Sequence, residues 1–340
     1  MSIQNLILGV LRNMPKFVLR RIAGAPLEID GNVLDVNIQI IAKMAAANAG
    51  DPPATLTEWR AAAAGYDEMG LPDRAGVTTQ DVKIPGPSGE MKARIYAPRH
   101  ASDADPAILF YHQGGLVIMD HLTDGHFCSV LADECKAKVI SLDYRLCPEA
   151  TFPEPIEDGM ALWDHVQENA TALGIDPRRV ALAGDSAGGL ISAGMSQILR
   201  DKGGQQPAAL MLAYPWVVSD LAVGGSLESC AECFPLRTAT MEFFNANVFP
   251  DNKGADHPLA NPLNGNLKDL PPTVVGTAGF DPIRDQGNAY AEALQRAGNE
   301  VTHHCFTSLT HSYLILGRIS HAAEKASVQM AQDLAHYLGR

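Results

Sequence analysis

The chain reads as an α/β protein: a mostly parallel sheet flanked by helices, with two helical segments that break the alternation. Three features predict this. From about residue 80 onward, short apolar runs alternate with helical patterns, the order that builds a parallel sheet with helices on both faces. Residues 1–72 hold helical patterns alone, and residues from about 219 to 250 interrupt the alternation a second time. Between a strand pattern and a helix pattern stands Gly184-Asp185-Ser186-Ala187-Gly188, small residues that permit a tight turn around a serine.

In the N-terminal segment, Leu6, Ile7, Val10, Leu11 and Met14 fall on one helical stripe. Such a stripe needs a partner surface in water. It is therefore expected to pack against the 219–250 insertion, above the serine. The first 27 residues also carry Arg12, Lys16, Arg20 and Arg21 and no acid. A basic amphipathic helix can bind a membrane surface, but a covering helix is the simpler reading.

Residues 107–111 form an apolar strand that runs into His112-Gln113-Gly114-Gly115. Consecutive glycines after a strand expose backbone N–H groups that no side chain obstructs. Cys128 falls on an amphipathic helix with Phe127, Val130, Leu131 and Cys135, and Asp124 is placed to cap its start. Residues 180–183 make a buried strand and residues 190–199 a helix, so Ser186 is lifted clear of the sheet at a helix N-terminus. Residues 238–248 give a helix inside the insertion. The strand at residues 273–277 ends in Ala278-Gly279-Phe280-Asp281-Pro282, which sets a carboxylate at a strand end. Asp285 belongs to the start of the next helix, the one bearing Tyr290, Ala291 and Leu294. A strand at residues 301–306 leads to a loop with His311.

Ser186, Asp281 and His311 thus occupy three strand ends, in an order that serves acyl transfer. The N–H groups of Gly114, Gly115 and Ala187 are the candidate oxyanion donors.

These blocks resemble the bacterial hormone-sensitive-lipase-like esterases, a branch of the α/β-hydrolases. The resemblance covers roughly residues 80–340 and rests on five blocks. They are His112-Gln113-Gly114-Gly115, the run from Asp143 through Tyr144-Arg145-Leu146-Cys147-Pro148 to Glu149, Gly184-Asp185-Ser186-Ala187-Gly188-Gly189, Asp281-Pro282-Ile283-Arg284-Asp285, and His311. It implies an eight-stranded α/β-hydrolase sheet and a catalytic domain at residues 73–340. Residues 1–72 and the insertion would form the cap. Ser186 would be the nucleophile, His311 the base and Asp281 the acid, with Gly114, Gly115 and Ala187 as the oxyanion hole. The chain also departs from the family. Gln113 replaces the first of three usual glycines, Leu116 a usual aromatic, and Ser312-Tyr313 the Gly-Phe that usually follows the base. Asp185 is expected to shape the turn without moving protons.

With 340 residues, 46% of them hydrophobic, the chain can bury one large core. Its net charge of −13 excludes a nucleic-acid partner, which calls for a basic surface. No apolar run approaches a membrane span, and no secretory signal pattern opens the chain, which implies a cytoplasmic protein. Six cysteines in this length do not read as a disulfide framework, and Cys230-x-x-Cys233 lacks the second pair a zinc site needs. Adjacent His303 and His304 point to opposite strand faces. His121 and His126 straddle a loop and a helix start. No metal or cofactor is expected.

The reaction these residues imply is two-step hydrolysis of short- to medium-chain acyl esters. Lactones, amides or acetylated small molecules would use the same constellation. A binding-only homologue, of which the plant gibberellin receptors are the example, lacks the base, and here His311 is present. A homodimer is compatible with the sequence.

Overall fold

The computed structural model describes residues 3–47, 53, 55–64, 66, 69–99, 102, 104–221 and 225–339. The chain opens with helices α1 (Ile3–Asn13) and α2 (Lys16–Ala23). A short hairpin follows, Glu28–Ile29 with Asn32–Val33, and then α3 (Val36–Ala47) and α4 (Leu56–Ala63). The hairpin departs from the all-helical expectation for this segment. Its turn is Asp30-Gly31, with φ of 52° and 75°, and Asp-Gly is a strong two-residue hairpin signal.

The main sheet contains β1 (Val77–Gly86), β2 (Gly89–Pro98), β3 (Asp105–Tyr111), β4 (Lys138–Leu142), β5 (Ile175–Asp185), β6 (Leu210–Ala213), β7 (Thr273–Phe280) and β8 (Val301–Thr310). Their spatial order is β8-β7-β6-β5-β3-β4-β2-β1. From β8 to β4 every neighbouring pair is parallel, while β2 is antiparallel to both β4 and β1. Between the strands run α5 (Gly125–Glu134), α6 (Glu154–Leu173), α7 (Ala187–Lys202), the short α8 (Ser226–Ser229), α9 (Thr238–Val248) and α10 (Arg284–Arg296), and α11 (His321–Tyr337) closes the chain.

The central strands are apolar on both faces because helices cover both. On β3, Ile108 and Phe110 pack with Phe127 and Leu131 of α5 and Met330 and Leu334 of α11. The alternate residues Leu109 and Tyr111 pack with Trp163 of α6 and Ile191 of α7. This period-two division is what the pleat imposes. Each wholly buried large side chain contributes about 2 kcal/mol relative to leaving it in water.

The N-terminal helices do not lie where the apolar stripe predicts. Leu11 and Met14 pack with Leu19, Ala23 and Ile40, which ties α1 and α2 to α3. Arg12 reaches the other way, to Glu324 of α11. Val10 is 55% exposed, and the side chains of Leu6 and Ile7 lie outside the described residues. Leu8 of α1 is buried in the same core cluster as Leu314, Ile315 and Leu316, so α1 lies against the C-terminal part of the chain. Among the described residues, no helix is long and apolar enough to cross a membrane.

Candidate active site

Ser186 sits at the junction of β5 and α7 with φ 51° and ψ −113°, a conformation costing a non-glycine residue about 1–3 kcal/mol. The surroundings hold it there. Its N–H donates to Ala213, and its carbonyl accepts from Gly189 and Trp216. Gly188 has no alternative: a Cβ there would lie 1.8 Å from the Tyr111 carbonyl oxygen. The turn therefore presses α7 against β3 and turns the serine hydroxyl outward.

His311 follows β8, which runs to Thr310 and so exceeds the strand predicted at residues 301–306. A register shift between Phe306 and Thr310 lets the strand regain its pairing at Phe280. That pairing brings His311 beside Asp281, the residue after β7. Asp281 Oδ2 lies 2.8 Å from His311 Nδ1, and His311 Nε2 lies 3.0 Å from Ser186 Oγ. An ionised carboxylate only accepts, so Nδ1 carries the proton and Nε2 is free to accept from the serine. The other Asp281 oxygen accepts from the Ile283 N–H at 2.9 Å. Asp281 is fully buried, and the ring of Tyr214 lies 4.6 Å from that of His311.

Gly114 and Gly115 follow β3 with φ of 115° and 62°. No acceptor among the described residues takes the N–H of Gly114, Gly115 or Ala187. Ala187 opens α7, where the first N–H groups have no partner within the helix. A Cβ on Gly115 would lie 2.2 Å from the Phe244 ring. The loop is backed by Tyr144, whose hydroxyl donates to the His112 carbonyl at 2.7 Å and whose ring stacks on His112 at 4.2 Å.

Over Ser186 lies a cavity of about 210 Å³, walled by Trp59, Ala62 and Ala63 of α4, Phe244 of α9, Leu236, Ile118 and Met119. A second cavity of about 530 Å³ adjoins it and shares Trp59, Tyr66, Pro235 and Thr240 as walls. Neither α1 nor α2 lines the first cavity. Sequence reasoning missed Trp59 and Phe244, whose spacing marks only a buried helix face.

Two acids behave differently from expectation or from each other. Asp124 stands before α5, but its side chain makes no cap there. It turns inward, accepts from Gln113 Nε2 at 3.1 Å, and burial pushes its pKa up to about 7. A buried amide donor has no water to pair with, whereas the half-buried start of α5 at Gly125 and His126 does, so the carboxyl turns to the amide. Asp285 is in the first turn of α10, accepts from the Ser226 N–H at 2.8 Å and pairs with Arg284, so it fastens α8 to the start of α10. Cys230 and Cys233 are buried free thiols within a turn, and the neighbouring Cys233 holds the pKa of Cys230 down. His126 bonds the Pro72 carbonyl, and His121 lies 3.4 Å from Asp143. Among the described residues, no three His, Cys, Asp or Glu side chains are grouped to hold a metal ion.

Comparison with known proteins decides the family. A sequence profile for the alpha/beta hydrolase fold matches residues 108–315. The chain belongs to the α/β-hydrolase fold family. Within it the motifs place it in the hormone-sensitive-lipase-like branch. It is 34% identical over 328 residues to the carboxylic ester hydrolase LipN of Mycobacterium tuberculosis, covering 94% of this chain and 87% of the relative. It is 37% identical over 242 residues to the carboxylesterase NlhH of the same species, covering 70% and 76%. Among solved structures, an ester-hydrolase from the metagenome of Lake Arreo, complexed with a bipyridine phosphonate derivative, superposes with a TM-score of 0.85. That structure is 33% identical, and the match covers 90% of this chain and all of the other.

Proposed function

We propose that Ser186 attacks the carbonyl of a short- to medium-chain ester while His311 takes its proton, and that Asp281 fixes the imidazole tautomer and stabilises the imidazolium. The N–H groups of Gly114, Gly115 and Ala187 receive the oxyanion, each such donor lowering the barrier by about 3 kcal/mol. His311 then protonates the leaving alkoxide, and water repeats the sequence to release the acid. The chain is a carboxylic ester hydrolase.

The observation that carries the residue assignment is the unbroken line from Asp281 to His311 to Ser186, with bonds of 2.8 and 3.0 Å beneath an apolar cavity. The size of that cavity, about 210 Å³, supports acyl groups of modest length. Segments α4 and α9, which wall it, serve as the cap. A cytoplasmic location is supported by six unpaired cysteines, as expected of a reducing compartment.

The test is a series of nitrophenyl esters from acetate to palmitate, with wild type beside Ser186→Ala. The variant should fold and lose at least ~10³-fold in rate, since members of such a triad act as a unit. Activity near wild type would place the nucleophile elsewhere.

A further inference from the structure

Two departures from the family's usual motifs meet in space. Gln113 precedes Gly114, Ser312 follows His311, and both side chains are buried. Ser312 Oγ donates to Gln113 Oε1 at 2.5 Å, joining residues 199 apart in sequence. Gln113 Nε2 in turn donates to Asp124 Oδ1 at 3.1 Å. An amide oxygen only accepts and an amide nitrogen only donates, so the side chain is held at both ends in one orientation.

Two buried acids lie beyond the amide. Asp124 and Asp185 are both buried, and Asp185 Oδ2 accepts from the Tyr214 hydroxyl at 2.8 Å. The remaining oxygens, Asp124 Oδ2 and Asp185 Oδ1, find no donor among the neighbouring groups. Burial raises the pKa of both carboxyls, and the charge of Asp124 raises that of Asp185 further. Two bare carboxylates repel in a dry interior, which favours one of them holding a proton. Asp185 immediately precedes Ser186, and the Tyr214 ring lies against His311.

We propose that Gln113 and Ser312 act as one pair of positioning residues, tying the loop that carries Gly114 and Gly115 to the loop that carries His311, with Asp124 as its anchor. The inference rests on the roles given above to Ser186, His311 and the glycine N–H groups. Those groups must meet one tetrahedral centre, yet they stand on separate loops. A misplacement near 1 Å costs on the order of 10²-fold in rate. The tie acts on the transition state, where proton transfer and oxyanion binding coincide, and hardly on substrate entry.

Where the family usually has glycine at both positions there is no amide to hold and no hydroxyl to hold it. Replacing one partner here leaves the other unsatisfied in the interior, whereas replacing both removes the pair cleanly. The experiment measures kcat and KM on nitrophenyl butyrate for Gln113→Gly, Ser312→Gly and the double variant, with Ser186→Ala and melting temperatures alongside.

Each single should lose about 10-fold or more in kcat with KM changed by less than about 2-fold. The double should be no worse than the weaker single, as expected for residues acting through one contact. Losses that multiply in the double, or singles with unchanged kcat, overturn the pairing even if the melting temperature falls. Should Gln113→Gly fail to fold, Gln113→Met keeps most of the volume while removing both hydrogen bonds, and the same comparison decides. A fully active Ser186→Ala would instead overturn the reading on which the inference rests.

Discussion

Trp59 stacks on Phe243, ring centroids 4.6 Å apart and planes 17° from parallel. The first ring belongs to α4 and the second to α9, so the contact joins the N-terminal segment to the insertion. Trp59 also meets Phe244 at 6.5 Å, and Phe244 lies over Gly115. Three aromatic rings therefore connect α4 and α9 to the loop beside Ser186, and Trp59 walls both cavities.

Trp59→Ala is expected to open the partition between the two cavities. The stack contributes about 1 kcal/mol beyond the area it buries, so a modest loss of stability should accompany the change. Ranking kcat/KM across acetate, butyrate, octanoate and decanoate esters should show a shift toward the longer chains. An unaltered ranking would remove Trp59 from the specificity wall.

Asp281 and Asp285 lie four residues apart and are predicted to differ sharply on removal of charge. Asp281→Asn keeps the shape but favours the wrong histidine tautomer, and should lower kcat by up to ~10⁴-fold. Asp285→Asn weakens the contacts to Ser226 and Arg284 and should lower the melting temperature, with kcat within about 3-fold of wild type, because it touches no reacting group. Kinetics and thermal unfolding of the two variants, measured in parallel, test the assignment; a reversed pattern would exchange their roles.

Gly115→Ala should be damaging for two reasons that act together. The backbone is at φ 62°, and the added methyl would lie 2.2 Å from the Phe244 ring. Either the loop or α9 must move. If the loop moves, donors are displaced from the oxyanion and kcat falls by about 10²-fold or more. Pairing the change with Phe244→Ala should restore part of kcat, which steady-state kinetics on a short ester will reveal.

Stability should depend on pH through Asp124. Its pKa is raised from an ordinary carboxyl value to about 7 in the folded protein. Between the unfolded value, about 4, and the folded one, the native state keeps a proton that the unfolded chain releases. Stability contributed by this group is therefore present at low pH and lost as pH rises toward 7. Asp124→Asn, which needs no proton, should flatten the dependence of melting temperature on pH between about pH 4 and pH 7 relative to wild type. Parallel curves for the two proteins would show that the carboxyl does not titrate there.

The alternation of apolar runs with helical patterns, the strand–turn–helix around Ser186 and the placement of Asp281 and His311 after strands were all legible along the chain. Each is a local demand: a pleat, a tight turn or a helix face is dictated by residues a few positions away. The Asp30-Gly31 hairpin had an equally local signal in its dipeptide and was obscured by the helical patterns around it.

Other features came only with the packed molecule. Asp124 has the look of a helix cap, yet its side chain goes to Gln113. The stripe on α1 asks for a covering surface without saying which, and the folded chain supplies it where Leu8 packs near Leu314 and Arg12 pairs with Glu324. Gln113 and Ser312 read separately as departures from a motif, and their hydrogen bond appears only when β3 and β8 bring their loops to the same end of the sheet. Periodicity records how much of a residue must be buried. Which polar or aromatic partner it finds depends on the layers folding together, because such pairs form between segments whose separation in sequence carries no repeat.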